Sequence, residues 1–294
     1  STALTNLNFH ITKQINSRLT LSIPSTGLDM YTSRPATAGT AWVRNANSWT
    51  QKGVPLDFTG VMGWNNDTPT HGDAYRGGAT LITPRHFISA QHFLINTDST
   101  VYFFDKQGKS VARKVVATTN ITGTDINVGL LDSDVDSSIS YYPLMSYTDT
   151  EDYFLRDSSQ IPYNVPIVTF NKEGKALVRK IGNDGPANIS HRIYNASADS
   201  LKASFSADII DGDSGQPGFV IINNTPVLLF AHRTAGQAPN LGNNIPAINA
   251  AIINLGNANG YKVTEYIPSG FTLHSSACTV PVTSSGAVKV KLVG

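Results

Sequence analysis

The chain is broken too often for long helices. Short runs rich in β-branched and aromatic residues recur along it, among them Thr80–Thr83, Phe87–Ser89, Val101–Phe104, Val111–Ala117, Val165–Phe170, Ala176–Ile181, Phe219–Ile222 and Val227–Phe230, and Gly, Asn, Asp or Pro closes each one. Such residues fit a pleated, half-buried surface, and their punctuation marks turns, so the fold class expected is all-β. Asn223-Asn224 separates the last two runs. Asparagine tolerates positive φ, so this pair reads as a hairpin, and several hairpins at this spacing make a barrel or sandwich.

One helix is expected, after the strands. Pro246 suits a first helical turn, Ile245, Ile248, Ala251, Ile252 and Leu255 recur near a period of 3.6, and Gly256 can close the helix in the left-handed region. The polar stretch from Thr148 to Tyr163 reads as the connection between two halves. The expected organisation is therefore an N-terminal segment plus first barrel over 1–147, a second barrel with the helix over 148–266, and a tail over 267–294. Ala287–Val293 alternates within that tail like one more strand.

Composition narrows the function. Twenty-two Lys and Arg stand against 21 Asp and Glu in 294 residues, a net charge of +1 that offers no field for nucleic acid or an anionic membrane. No apolar stretch approaches the roughly 18 residues of a membrane span, so a soluble chain is expected. The single cysteine, Cys278, rules out an intramolecular disulfide and a cysteine-rich zinc site.

Three words carry chemistry: Ser89-Ala90-Gln91-His92, Thr124-Asp125-Ile126-Asn127-Val128 and Gly212-Asp213-Ser214-Gly215-Gln216-Pro217. A serine hydroxyl becomes a nucleophile when an imidazole takes its proton, and the imidazole needs a carboxylate to fix its tautomer. His92, Asp125 and Ser214 supply these groups, with Asp98, Asp105 and Asp132 as competing carboxylates. The glycines beside Ser214 permit a tight turn whose backbone N–H groups, those of Gly212 and Ser214, can hold an oxyanion.

Together the words resemble the chymotrypsin-like (trypsin-like) serine protease family, especially its disulfide-free bacterial members. Gly77–Thr83 followed by Phe87–His92 is similar to the strand pair that delivers the family's catalytic histidine. Asp125-Ile126 with Val128, Leu130 and Leu131 resembles its aspartate strand, and Gly212–Pro217 its nucleophile loop. The order histidine, aspartate, serine is the family's own. The likeness runs from about Gly77 to Leu255. It implies two antiparallel six-stranded β-barrels with a C-terminal helix and a short tail, and a serine endopeptidase that acts on protein or peptide substrates through His92, Asp125 and Ser214. It implies no cofactor and no metal. With the absent initial methionine, it also suggests a secreted or periplasmic location. Oligomeric state is left open.

The chain departs from the family in places. Gln91 replaces the usual alanine before the histidine and Gln216 the second glycine after the serine. No Ile-Val-Gly-Gly start supplies an amino terminus for Asp213, so a basic or polar side chain is expected to satisfy it, unless the switch is missing altogether. Two residues compete for the primary specificity pocket. Asp208, six positions before Ser214, matches the aspartate by which trypsin-like members read Lys or Arg. His232 lies where glutamate-specific and viral members place a histidine to read Glu or Gln. Lys/Arg preference is the first expectation and Glu/Gln the alternative, beside a protease-fold binding protein without turnover. The segments before about Gly60 and after Tyr266 lie outside the resemblance, and packing against the barrels or covering the cleft are both open to them.

Overall fold

The computed structural model describes residues 5–34, 40–62, 78–150, 165–183, 190–196, 199–234, 236–256, 259–272, 277–279 and 291–293. Gly77 and the Thr148–Tyr163 connection beyond Thr150 fall outside them. The chain is mostly β, and its strands form two curled antiparallel sheets. The first contains β1 (Thr80–Leu81), β2 (His86–Ala90), β3 (Thr100–Phe104), β4 (Ser110–Asn120) and β5 (Ile126–Leu131), in the order β1-β2-β5-β4-β3. The second contains β6 (Val165–Phe170), β7 (Ala176–Asn183), β8 (Ser190–Asn195), β9 (Pro217–Ile222), β10 (Thr225–Ala231) and β11 (Gln237–Pro239), in the order β10-β9-β6-β7-β8-β11. All eight apolar runs meet a strand. The first sheet has five strands among the described residues where the resemblance implies six.

Both sheets bury continuous apolar strands. Every residue of β2, β5, β6 and β9 is buried, because each of these strands has packing on both faces. A shared core joins the halves: Ile88, Ile126 and Val128 of the first sheet meet Val168, Phe219 and Ile221 of the second. Asn223 and Asn224 turn the β9–β10 hairpin at φ 49° and 62°, the positive values that the primed hairpin turns require.

The expected helix is α2 (Ile245–Asn254), with Pro246 in its first turn and Gly256 at φ 82° beyond its end. It buries Ile245, Ile248, Ala251 and Ile252 in the shared core. The expectation of one helix is corrected by α1 (Leu7–Leu19). Leu7, Ile11, Ile15 and Leu19 repeat every four residues, which lines them along one face, and all four are fully buried. Burial of each contributes about 1.5–3 kcal/mol relative to exposure. The Asn6 side chain caps the helix by accepting the Phe9 N–H at 3.2 Å. Near its end, the buried Arg18 guanidinium donates to Val54 O at 2.7 Å and to Asn224 Oδ1 at 2.8 Å, pinning α1 to the β9–β10 turn. The N-terminal segment thus packs against the second sheet. Among the described residues no helix is long and apolar enough to cross a membrane.

In the tail, Lys291–Val293 forms a strand that pairs with Ala277–Thr279. The latter contains Cys278.

Candidate active site

The ladder of the first sheet sets the first two groups. Strands β2 and β5 pair with Ala90 opposite Ile126, so the residues just after β2 lie beside the residue just before β5. There Gln91–Phe93 forms a single 3-10 turn. The Gln91 N–H donates to Asp125 O at 3.0 Å. The Asp125 carboxylate accepts the His92 backbone N–H on Oδ1 at 2.9 Å and lies 2.7 Å from His92 Nδ1 through Oδ2. A carboxylate can only accept, so Nδ1 carries its proton and Nε2 is left as an acceptor. Ser214 Oγ stands 2.8 Å from that Nε2. The Asp125 side chain is 10% exposed and that of His92 46%, so the carboxylate is shielded while the imidazole remains open to a ligand.

The competing carboxylates are engaged elsewhere. Asp98 pairs with Lys114 at 3.0 Å, Asp105 accepts the Gln107 and Lys109 amides in its own turn, and Asp132 accepts the Lys114 amide.

Ser214 arrives on the loop before β9. Gly212 and Gly215 adopt φ 95° and 82°, in the left-handed region that favours glycine. Three neighbouring amides are used internally: Asp213 N–H donates to Ile210 O, Gly215 N–H to His232 O, and Gln216 N–H to Asp213 O. Among the described residues the Gly212 and Ser214 N–H groups donate to no protein acceptor. Both residues line a pocket of about 240 Å³ beside His92. Gly78, at the start of the histidine word, seats the loop against the first sheet by donating its N–H to Ser214 O at 3.0 Å. A Cβ on Gly78 would come within 2.3 Å of Gln216 N, and one on Gly215 within 2.4 Å of Gly78 O, so glycine alone fits at either position.

Asp213 is fully buried, and among the described residues its hydrogen bonds come from backbone amides in place of the basic or polar side chain expected, with the Lys172 charge also favouring its carboxylate. Its Oδ1 accepts the Lys172 N–H at 2.7 Å and its Oδ2 the Ile210 N–H at 2.9 Å. Burial raises the pKa of its carboxyl, against the pull of these two amides.

The two specificity candidates are separated. His232 lies in the wall of the 240 Å³ pocket, with Ile209, Ile210 and Asp211 also in the lining. Its ring is fully buried, and Nε2 hydrogen-bonds Thr169 Oγ1 of β6 at 2.6 Å. Burial, helped by the nearby Arg179 charge, pushes its pKa down to about 3, so the ring is neutral at ordinary pH. Asp208 is outside that lining: it is exposed, and its Oδ1 accepts the Asn195 Nδ2 at 2.8 Å. The charges of Asp208 and Asp213 both favour the cationic form of buried Arg179. Arg233 makes no ion pair with Asp208.

A second depression of about 520 Å³ also borders His92, lined besides by Gln91, Gly123, Thr124, Asp125, Arg233 and Thr234. Sequence reasoning missed Thr169 and the Lys172 and Ile210 amides. No local word marks them, because each meets its partner through the tertiary fold. Neither a family model nor a curated protein matches the chain.

Proposed function

We propose that this chain is a serine endopeptidase of the chymotrypsin-like type, with its cleft between two barrels. The observation that carries the reading is His92 bridging Asp125 at 2.7 Å and Ser214 at 2.8 Å through opposite ring nitrogens. Ser214 Oγ attacks the peptide carbonyl carbon while its proton passes to His92 Nε2, and Asp125 stabilises the imidazolium. The carbonyl π electrons move to oxygen, and the Gly212 and Ser214 N–H groups, which have no acceptor among the described residues, hold the oxyanion. Collapse breaks the C–N bond, and Nε2 returns the proton to the departing amine. Water, deprotonated by the same nitrogen, then hydrolyses the acyl-enzyme.

For the primary pocket the place of His232 supports the Glu or Gln reading. Preference for Lys or Arg through Asp208 lacks support, because Asp208 lies outside the pocket lining, exposed and bound to Asn195; the carboxylate within that lining is the exposed Asp211. His232 is buried in the pocket wall, with its Nε2 held by Thr169. An uncharged imidazole fixed by Thr169 in the wall of this pocket suits the side-chain oxygen of Glu or Gln as a hydrogen-bonding neighbour.

A fluorophosphonate probe tests the catalytic reading. Wild-type protein labels, and Ser214→Ala and His92→Ala do not. Absence of labelling in folded wild-type protein would leave a protease-fold binding protein instead. A peptide library then tests the pocket: Glu or Gln before the scissile bond supports His232, and Lys or Arg overturns it.

A further inference from the structure

We infer that Arg233 makes the cleft selective for peptides with acidic residues next to the one that enters the His232 pocket. This rests on the endopeptidase reading and names its substrate class. Arg233 lines both depressions that border His92, the 240 Å³ pocket and the 520 Å³ one. The residue is exposed, and its guanidinium has no hydrogen-bond or ion-pair partner among the described residues.

The other charges in these linings do not cancel it. In the larger depression the carboxylate is Asp125, which His92 already occupies with two hydrogen bonds. Asp211 shares the smaller pocket with Arg233 but, among the described residues, makes no ion pair with it, and it is not in the lining of the larger depression. Asp125 keeps its negative charge but its side chain is only 10% exposed and faces His92, so Arg233 is the exposed charge of the larger depression, on a chain whose net charge of +1 supplies no competing background field.

The path of a substrate follows from the shared wall. His232 and Thr234 flank Arg233, and the segment continues from the smaller pocket into the larger one. A peptide whose reacting carbonyl lies at Ser214 and whose adjacent side chain lies against His232 extends on its acyl side along this wall. Its preceding side chains then reach the larger depression, within range of the guanidinium. Arginine's fixed fork of donors matches a carboxylate in a bidentate pair, and the complementary charge also speeds encounter.

The experiment uses the full chain and peptides with Glu before the scissile bond, carrying Asp, Ser or Lys at the two preceding positions. Cleavage is followed as kcat/KM, and binding to the Ser214→Ala chain by fluorescence anisotropy of the same peptides. The acid-flanked peptide is expected to exceed the serine-flanked one about five-fold, the scale of a single exposed ion pair. The advantage should shrink as salt is raised. Arg233→Gln should flatten the series and Arg233→Glu should reverse it in favour of lysine. Equal handling of the acid- and serine-flanked peptides, or an acidic preference that survives Arg233→Glu, overturns the inference. Failure of the endopeptidase reading is seen separately, as wild-type protein that neither labels with fluorophosphonate nor cleaves, and anisotropy still reads the charge preference in that case.

Discussion

The two sheets contribute to the site by different means. In the first, His92 and Asp125 flank neighbouring strands, and three hydrogen bonds join Gln91 and His92 to Asp125, two of them from backbone N–H groups. The second presents Ser214 on a loop, and 122 positions of chain separate it from His92. Among the described residues, only the His92–Ser214 and Gly78–Ser214 hydrogen bonds tie that residue across. The histidine–aspartate geometry therefore comes with the β2–β5 ladder, whereas the histidine–serine geometry depends on how closely two sheets pack. The glycine contact between Gly78 and Gly215 controls that closeness.

Asp125→Asn tests the first arrangement and has the largest expected effect. An amide in place of the carboxylate favours the wrong imidazole tautomer, so turnover should fall about a thousand- to ten-thousand-fold with the melting temperature little changed. Retention of most activity would show that the short Nδ1 contact is not what orients His92. Gly78→Ala tests the second. The added Cβ meets the Gln216 amide and forces the sheets apart, and a displacement near 1 Å costs on the order of a hundred-fold in rate. The downfield His92 Nδ1 proton resonance should persist in this variant and vanish in Asp125→Asn. If Gly78→Ala also removes the resonance, the two arrangements are not separable.

Acid gives the smallest and most graded comparison. His86 on β2 has its pKa pushed down to about 4, chiefly by burial, and His191 on β8 and His232 after β10 are pushed to about 3 by the same cause. Unfolding frees each to bind a proton near its ordinary value. Their contribution is thus fully present above about pH 6.5 and is lost as the pH falls towards these depressed values, at up to ~1.4 kcal/mol per pH unit for each histidine. The second sheet holds two such groups and the first sheet one. Amide exchange across pH 7 to 4 should therefore show β6–β9 losing protection before β2–β5, and the opposite order would contradict the assignment.

What could be read from the sequence divides along the same line. The histidine, aspartate and serine words were legible because each is local, a strand end or a turn with its own residue chemistry. The β9–β10 turn was legible because two asparagines tolerate positive φ, and α2 because Pro246 and Gly256 bracket an apolar period. By contrast, α1 escaped notice: Leu7, Ile11, Ile15 and Leu19 are diluted by Asn, Thr, Gln and Ser, and their partners lie far along the chain in β6 and β9. Asp208 shows the limit of counting. Six positions from Ser214 fix contour length, but the path from 208 to 213 leaves Asp208 facing Asn195 and sets Ile209 and Ile210 in the pocket wall. The hold of Thr169 on His232 joins positions 63 residues apart, which no short word can announce.

The seat of Asp213 has a genetic consequence. Its carboxylate is held by the amides of Lys172 and Ile210, and an amide is donated by every residue type except proline. Drift at these two codons can change charge, size and polarity without removing either donor. The hydrogen-bonded support of the nucleophile loop is thus insulated from most point mutations at these two positions.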